Sequence, residues 1–427
     1  MIVVLGYGKE TQAWLARLDT VDSGRVLVLD EAERPGVDVP VAVVDLDDVV
    51  TVRAALDGRN VSAVVRSPGV SPYRPGPAWL ASNAPCTTPT GLWLNEQAPE
   101  DLVALTGTKG KSTATALTAH LLRAAGRRVV LAGNIGVALT TVDPSTLRDD
   151  LVVELSSYQI ADLTLTRPAA AAAVTTLFTD HVPWHGTVER YHADKLRLLD
   201  RAEWRVVGPQ VAGHRQAAGR FDAIAGDPTP DVIAALAEAG MHGVHEGQAA
   251  MLALALAARR LGTDALDLVG ALAGFEPLPH RLRPIGTVRG RTFVDDSIST
   301  VPESTLAALA TWRPRGPVTL ILGGDDRGQD VTTLVAALTD PDVRAALLPP
   351  LGERLAAALS DAGLADGPPR VRTVADLAEA VTWADRVTPE GGAVLLSPAA
   401  PSFGAFRDFM HRGEAFATLV RGLPDDR

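Results

Sequence analysis

The feature that most constrains the fold is a glycine-rich segment at residues 106–113, with the sequence TGTKGKST. It follows an apolar run that predicts a strand at 101–106 and precedes an Ala- and Leu-rich run that predicts a helix at 112–125. In such a unit, backbone N–H groups and the positive end of the helix dipole face a bound phosphate. The segment therefore predicts a phosphate-binding loop on a parallel α/β sheet.

The residue types in this loop indicate a nucleoside triphosphate and Mg²⁺ as its ligands. Lys111 is placed to neutralise the β- and γ-phosphates, and Ser112 or Thr113 to hold the metal. The candidates for nucleotide binding are Gly107, Thr108, Lys109, Gly110, Lys111, Ser112 and Thr113. The common form of the loop has glycine at the position of Leu105, so this is a variant. A structural turn with an incidental lysine is the alternative.

The rest of the chain repeats the alternation of β-branched runs, glycine-containing turns and Ala/Leu-rich runs, which predicts an α/β protein with mostly parallel sheets. We expect three domains, at residues 1–96, 97–277 and 278–427. The first begins with a strand at Ile2–Leu5 and a turn, Gly6-Tyr7-Gly8. This turn lacks the third glycine of a dinucleotide fingerprint, which argues against NAD. It is either structural or a site for a nucleotide diphosphate.

Composition restricts the class of protein. The chain has 427 residues, of which 46% are apolar, so it is able to form buried cores. Its single cysteine, Cys86, excludes an internal disulfide and a cysteine-based zinc site, and fits a reducing compartment. The net charge of −11 argues against nucleic-acid binding, and the apolar runs, such as Ala169–Val174, are too short for a bilayer. Met1–Gly6 is typical of a first strand and not of a leader, so we expect a cytoplasmic protein without membrane insertion. We also expect a monomer.

Seven further segments occur in an order that resembles the Mur ligase family. They are LAGNIG at 131–136, ELSSYQ at 154–159, DH at 180–181, YHADK at 191–195, HR at 280–281, DS at 296–297 and SPA at 397–399. With the phosphate loop, they extend the resemblance over essentially the whole chain, and within the family to the branch that adds glutamate to UDP-N-acetylmuramoyl-L-alanine. The resemblance implies a Rossmann-like N-terminal domain for the UDP substrate. A central P-loop ATPase domain and a Rossmann-like C-terminal domain for the amino acid are implied as well.

The resemblance also implies roles for individual residues. Glu154 would hold one Mg²⁺ and His181 a second, while Lys195 would be carbamylated and bridge the two as an extra carboxylate. With Ser112 these are the candidate metal ligands, and Lys111, His181 and Lys195 are the candidate catalytic residues. Contacts to the ATP ribose are implied for Arg281 and Asp296. The candidates for the UDP-linked substrate and for glutamate are Asn134, Ser157, Gln159, Thr300, Arg327, Ser402 and Phe409.

The chemistry accounts for these residue types independently. A ligase of this kind phosphorylates a carboxylate with ATP, and an amine then attacks the acyl phosphate. Phosphoryl transfer depends on positioning and on charge neutralisation by lysine and Mg²⁺. Mg²⁺ prefers oxygen ligands and keeps several waters, so a few protein groups suffice. The predicted activity is ADP-forming ligation of glutamate in peptidoglycan precursor synthesis.

Three positions depart from the family pattern. Pro183 occupies the place of an aspartate, the segment His245–Ala249 lacks two asparagines, and Ile298 replaces a lysine. Arg327 offers a planar cation in the glycine-rich turn after the next strand. The Asp296-Ser297-Ile298-Ser299-Thr300 variant resembles a side branch that adds L-glutamate, which we favour over D-glutamate. The alternatives are folylpolyglutamate synthase, a P-loop switch or motor, and an inactive homologue that acts as a binding module.

Overall fold

The computed structural model describes residues 1–18, 24–97, 100–147, 149–361, 370–402 and 404–424. The strands within these ranges form three sheets, which agrees with the predicted α/β class. By compactness the chain divides into two units. The first comprises Met1–Ala239 and His245–Phe275, and the second comprises Gly240–Val244 and Glu276–Arg427. Because the first unit contains two sheets, the predicted boundary near residue 96 stays a prediction.

The first sheet is wholly parallel and has the strand order β3-β2-β1-β4-β5. This is the order of a doubly wound Rossmann-like sheet. Its strands are β1 (Ile2–Leu5), β2 (Val26–Asp30), β3 (Val41–Val43), β4 (Ala63–Arg66) and β5 (Cys86–Thr87). The helices between and after them are α1 (Lys9–Leu15), α2 (Val49–Leu56), α3 (Pro75–Asn83) and α4 (Pro89–Gln97).

The second sheet is also parallel, in the order β11-β10-β9-β6-β8-β7. Its strands are β6 (Leu102–Thr106), β7 (Val129–Gly133), β8 (Asp150–Glu154), β9 (Ala171–Val174), β10 (Arg205–Val207) and β11 (Ala223–Ile224). The central strand β6 lies between β8 and β9, so the chain changes sides between these two. In open parallel sheets, ligands bind at the carboxyl ends of the strands beside such a switch point.

The helices of the second sheet include three short ones after β8 and β9, at the predicted site. The full set is α5 (Lys111–Ala124), α6 (Ser157–Ile160), α7 (Val182–His185), α8 (Val188–Leu196), α9 (Pro209–Ala212), α10 (Pro230–Glu238) and α11 (Val244–Leu261). Every residue of β6, β8 and β9 is buried, as expected for parallel strands covered on both faces.

The third sheet has the order β12-β13-β17-β14-β15-β16, and only the β12–β13 pair is antiparallel. Its strands are β12 (Arg283–Val288), β13 (Arg291–Asp295), β14 (Val318–Gly323), β15 (Val343–Leu348), β16 (Val371–Thr373) and β17 (Ala393–Leu396). Its helices are α12 (Pro302–Trp312), α13 (Thr332–Ala337), α14 (Leu351–Asp361), α15 (Leu377–Val387) and α16 (Phe409–Arg421). Strands β16-β15-β14-β17 repeat the 3-2-1-4 order of the first sheet, which makes this sheet Rossmann-like as well.

No helix in the described ranges combines the length and the apolar character needed to cross a membrane.

Candidate active site

The phosphate loop joins β6 to α5, as the sequence predicts. Gly107 and Gly110 have φ angles of +148° and +79°, in the region that favours glycine. A Cβ on Gly107 would lie 1.9 Å from Thr175 Oγ1, so the loop approaches the end of β9 too closely for any side chain. The Thr108 N–H donates to the Thr176 carbonyl at 2.7 Å, which fixes the loop to this neighbour.

The lysines of the loop have different surroundings. Lys111 Nζ donates to the Thr108 carbonyl at 3.0 Å, so its ammonium lies over the concave side of the loop. Lys109 Nζ lies 3.8 Å from Asp180, a looser ion pair. Ser112, in the first turn of α5, is buried. The loop thus presents a positive charge and a hydroxyl at a helix N-terminus, the arrangement that a nucleotide phosphate and its metal require.

Glu154 ends β8 beside the loop, and it is only 1% exposed. Its Oε1 accepts a hydrogen bond from Asn134 Nδ2 at 2.8 Å, whereas Oε2 is buried and has no hydrogen-bond partner among the residues that the structure describes. An unsatisfied buried carboxylate oxygen costs free energy unless a cation or water meets it. This oxygen is therefore the observation that best fits a bound metal. Asn134, predicted to contact substrate, here orients Glu154.

Lys195 is buried on α8, 2% exposed, with Nζ 4.8 Å from the centre of the Tyr191 ring. Burial lowers the pKa of Lys195 well below its usual value, and repulsion from Lys111 adds to this effect, while Asp180 and Glu154 oppose it. No carboxylate of the described residues forms an ion pair with this ammonium, so its burial favours loss of the proton. The Tyr191 hydroxyl donates to Thr108 Oγ1 at 3.0 Å and joins this helix to the loop.

His181 caps the N-terminus of α7 in a left-handed conformation, with φ of +51°. Its Nδ1 lies 2.9 Å from the Tyr158 hydroxyl, and the two rings meet edge to face. Although 46% of the side chain is exposed, desolvation, opposed by Asp180 and assisted by Lys195 and Lys111, lowers the pKa of His181 to about 4. A neutral imidazole is the form that binds a metal.

A buried network that the sequence did not reveal connects the short helices. His185 Nδ1 lies 2.7 Å from Asp194 Oδ2, and its Nε2 lies 3.0 Å from Ser157 Oγ. Tyr73 lies between β4 of the first sheet and α3, and its hydroxyl donates to Asp194 at 2.7 Å. His185, Asp194 and Ser157 are all essentially buried. Ser157, a predicted substrate contact, is therefore hydrogen-bonded through its hydroxyl to the buried His185.

Gln159 and Arg66 connect the first and second sheets of this unit. Gln159 Nε2 donates to Glu10 Oε1 at 2.7 Å, and its Oε1 accepts from the Ser156 N–H in a capping box for α6. Arg66 is completely buried, and its guanidinium bonds to Asp162 and to the Tyr158 carbonyl. The predicted substrate contact Gln159 thus already has protein partners. The pairs Gln159–Glu10 and Arg66–Asp162 were not predicted, because their members lie far apart in the sequence.

In the second unit, Asp296 follows β13 and is buried. Its Oδ2 accepts from the hydroxyls of Ser299 and Ser397 at 2.6 and 2.7 Å, and the N–H of Leu282 donates to Oδ1. Burial raises the pKa of Asp296 to about 7. This carboxyl therefore fixes the segment that contains Arg281 and the end of β17. A contact between Asp296 and an ATP ribose stays a prediction.

The candidates for glutamate follow strands of the third sheet, with Thr300, Arg327 and Ser402 on loops and Phe409 at the start of α16. The Asp325 N–H donates to the Pro401 carbonyl at 2.9 Å, which brings the loop of Arg327 beside that of Ser402. Arg327 has a 58% exposed side chain whose Nε lies 3.3 Å from Asp325. Thr300 and Phe409 are half-buried, and Ser402 is buried. The Phe409 carbonyl accepts from Ser297 Oγ at 2.8 Å.

The candidates therefore form two groups, one in each unit. The phosphate loop, Glu154, His181 and Lys195 converge around the carboxyl ends of β6, β8 and β9, with Ser157 and Asn134 beside them. Asp296, Ser402 and Phe409 belong to the edge of the third sheet. No group of three His, Cys, Asp or Glu side chains is arranged to hold a metal within the described part of the chain. A metal here would thus depend on Glu154 with other oxygen donors.

Comparisons with known proteins agree with this arrangement. The Mur ligase middle domain matches residues 105–207, and the Mur ligase, glutamate ligase domain matches residues 280–400. A UDP-N-acetylmuramoyl-L-alanine--L-glutamate ligase from Salinispora tropica is 42% identical, over 84% of this chain and 83% of that protein. One of the same name from Xylella fastidiosa is 35% identical, over 99% of this chain and 96% of that protein.

Solved structures share the fold. A UDP-N-acetylmuramate-alanine ligase from Thermotoga maritima superimposes with a TM-score of 0.56 and 16% identity, over 99% of both chains. A MurF ligase from the same organism, in complex with ADP, gives a TM-score of 0.57 and 16% identity, over 99% of this chain and 95% of that one.

The loop, the switch point and the buried carboxylate define an enzyme that uses a nucleoside triphosphate. The relatives identify it further: the chain belongs to the Mur ligase family and is an ATP-dependent ligase. The predicted three-domain α/β fold and the predicted enzyme class are thereby confirmed. The roles predicted for single residues stay predictions.

Proposed function

We propose that the protein joins L-glutamate to UDP-N-acetylmuramoyl-L-alanine, with ATP converted to ADP and phosphate. The names of the relatives from Salinispora tropica and Xylella fastidiosa support this pair of substrates. The observation that carries the chemistry is the buried Oε2 of Glu154 beside the phosphate loop, which no described residue meets with a hydrogen bond. The single Cys86 supports a reducing compartment, the cytoplasm, as the place of the reaction.

The residues present fit a Mg²⁺ ion bound with ATP. Glu154 Oε2 and the hydroxyl of Ser112 would hold it, and a carbamylated Lys195 and His181 would hold a second ion. Because the Tyr158 hydroxyl engages Nδ1 of His181, Nε2 is the ring nitrogen left for that ion. Bound Mg²⁺ would neutralise charge on the transferred phosphoryl group.

The protein's own groups account for the remaining steps. Lys111 stabilises the charge that develops as the γ-phosphoryl group moves from ATP to the substrate carboxylate. The resulting acyl phosphate is attacked by the amine of glutamate, which forms the amide bond and releases phosphate. Asn134 keeps Glu154 in one orientation throughout, through its hydrogen bond to Oε1. The candidates Thr300, Arg327, Ser402 and Phe409 would bind the glutamate.

The experiment is a measurement of ADP release by the purified protein with ATP, Mg²⁺, UDP-N-acetylmuramoyl-L-alanine and glutamate. We expect release only when all are present, since a switch or motor would hydrolyse ATP without the amino acid. Lys111→Ala removes a transition-state charge worth about 3 kcal/mol, so kcat falls about a hundredfold.

Arg128→Ala is the matched control, because Arg128 directly precedes β7 of the same sheet, has a 68% exposed side chain, and among the described residues forms an ion pair with Asp149 alone. Its activity should equal that of the wild type. ADP release that ignores glutamate would contradict the proposed function, and a fully active Lys111→Ala protein would contradict the role of the loop.

A further inference from the structure

Arg412 is an arginine in the interior of the second unit. It is 1% exposed and lies on the apolar face of α16, where Gly413, Phe416 and Val420 are also buried. A guanidinium is seldom buried unless its donors are satisfied. Desolvation is severe enough to lower the pKa of Arg412 to about 10. Its position therefore requires a compensating function or a compensating set of contacts.

The guanidinium bonds to three different loops. Its Nε donates to Ser297 Oγ at 3.0 Å and its Nη2 to the Ser297 carbonyl at 2.8 Å, after β13. Nη2 also donates to the Ala400 carbonyl at 3.0 Å, after β17, and Nη1 to the Gly323 carbonyl at 3.4 Å, where β14 ends. Strands β13, β17 and β14 are neighbours, so one side chain joins three adjacent carboxyl ends.

These loops are the ones that carry the candidates for glutamate. Ser297 lies three residues before Thr300, Gly323 begins the turn that contains Arg327, and Ala400 lies two residues before Ser402. The Ser297 hydroxyl in turn donates to the Phe409 carbonyl at 2.8 Å. The Arg412 guanidinium is thus hydrogen-bonded directly to each of the three loops, and through Ser297 Oγ it is linked to the Phe409 carbonyl.

The loop after β17 is also held in a conformation that it would not adopt alone. Ala399 has a φ of +58°, which costs a residue with a Cβ free energy. The next carbonyl, of Ala400, is an acceptor of Arg412. Gly324 packs so closely that a Cβ there would lie 2.2 Å from the Pro401 carbonyl and 3.1 Å from Arg412 Nη1. The strained loop therefore depends on this contact.

The charge of Arg412 faces only uncharged oxygens in its hydrogen bonds to the described residues. The nearby carboxylate of Asp295 is bonded to His280 Nδ1 at 2.7 Å. A pocket for an amino acid with two carboxylates needs fixed positive charge once water is removed. Ile298 supplies none where the family has lysine, and Arg327 is mostly exposed. A cation beneath the pocket is therefore physically useful as well as structurally central.

We propose that Arg412 is a positioning residue for the acidic amino acid: it holds the three loops in the arrangement that binds the amino acid and places a fixed positive charge behind them. This inference rests on the proposed function, because it takes the third sheet's edge as the glutamate site. It assigns Arg412 no contact with the reacting atoms. Its effect is on amino-acid binding and not on the handling of ATP.

The test is steady-state kinetics with each substrate varied in turn. Arg412→Lys keeps a charge but loses the planar fork that reaches three loops. We expect its KM for glutamate to rise about tenfold, while the KM values for ATP and UDP-N-acetylmuramoyl-L-alanine change less than about twofold. Arg421→Lys is the matched control on the same helix, because Arg421 is exposed and its guanidinium, within the part of the chain that the structure describes, donates to Thr418 Oγ1 at 3.1 Å. It should behave as the wild type.

Ser297→Ala keeps the test decisive should Arg412→Lys fail to fold, since it removes one acceptor of Arg412 and leaves the others. Its KM for glutamate should rise about threefold. Equal changes in all three KM values, or a fall in kcat with the KM for glutamate unchanged, would overturn the proposal. Wild-type protein that rejects glutamate but turns over another amino acid would instead refute the proposed function. The KM for that amino acid would then decide the role of Arg412.

Discussion

At the scale of single residues, the use of lysine is selective. Only four of the 40 basic residues are lysines, and three of them, Lys109, Lys111 and Lys195, lie at the phosphate site. Apart from Lys9, the remaining basic residues are arginines, including the buried Arg66 and Arg412. Because a guanidinium does not lose its proton in proteins, a neutral amine requires lysine. This choice is informative at Lys195, where burial lowers the pKa.

We predict that Lys195 is carbamylated. The neutral amine is the form that attacks carbon dioxide, and the carbamate that forms, with release of a proton, adds a carboxylate to the site of Glu154. Lys195→Ala should lose activity about a hundredfold or more and recover part of it when a short carboxylic acid is added. The direct measurement is the carbon-13 spectrum of protein equilibrated with labelled bicarbonate, which should contain a carbamate signal that Lys195→Ala lacks.

Lys195→Arg is the matched variant for this prediction. It keeps the positive charge and most of the volume but has no amine to modify, so it should be as inactive as Lys195→Ala. An active Lys195→Arg protein would show that the positive charge itself is what the site uses, and would rule out a bridging carbamate.

At the scale of elements, three short helices surround the site, and a polar network holds them. Ser157 begins α6, His185 ends α7 and Asp194 lies on α8, so His185 joins all three. Helices α6 and α7 have only four residues each and therefore little stability of their own. We infer that their arrangement depends on these buried hydrogen bonds. The Tyr73 hydroxyl adds a fourth partner from outside the sheet.

We predict that His185→Ala lowers the free energy of unfolding by about 3 kcal/mol, because it removes a hydrogen-bond partner from both the buried Asp194 and the buried Ser157 and leaves a cavity. Tyr73→Phe, which removes only one donor to Asp194, should cost about 1 kcal/mol. Urea unfolding measures both values. The control is His242→Ala at an exposed histidine, which should change stability by less than about 0.5 kcal/mol. A loss for His185→Ala as small as the control's would contradict the structural role of the network.

The sequence predicted those elements that have a strong local signal. The strand Ile2–Leu5 was predicted with its observed ends, because it is an apolar run that stops at a glycine, Gly6. The short strands β3, β5 and β11, which have two or three residues, were missed. Their pairing depends on neighbouring strands, and two or three residues carry too little pattern.

The candidate site was predictable where the chemistry is local. The phosphate loop has a continuous sequence signature, whereas the pairs Arg66–Asp162 and His185–Asp194 depend on tertiary contacts. Arg412 had one usable signal that we did not use. It falls on the same helical stripe as Phe409, Phe416 and Val420, and a basic residue on an apolar stripe indicates a buried charge with partners.

At the scale of the whole molecule, the predicted substrate contacts are divided between the two compact units. Those for ATP phosphates and the UDP-linked substrate belong to the first unit, and those for glutamate to the second. The two sets also differ in how closely they follow the family pattern. The phosphate loop keeps the family's lysine as Lys111, whereas the glutamate side has Ile298 in place of lysine. Changes in specificity are therefore expected for the amino acid and not for ATP.

The last prediction concerns the configuration of the glutamate. A site that fixes both carboxylates and directs the amine towards an acyl phosphate contacts the α-carbon substituents at three points, so the mirror image misplaces at least one group. We expect kcat/KM for L-glutamate to exceed that for D-glutamate about a hundredfold or more, since a misplaced polar group leaves a buried partner unpaired. The measurement is ADP release with each pure enantiomer and UDP-N-acetylmuramoyl-L-alanine, with Arg421→Lys as a variant that should keep the same ratio. Turnover with D-glutamate alone would assign the chain to the other glutamate branch and leave the ligase chemistry intact. Turnover with neither would remove glutamate as the substrate, and Arg412→Lys would then report on whichever amino acid replaced it.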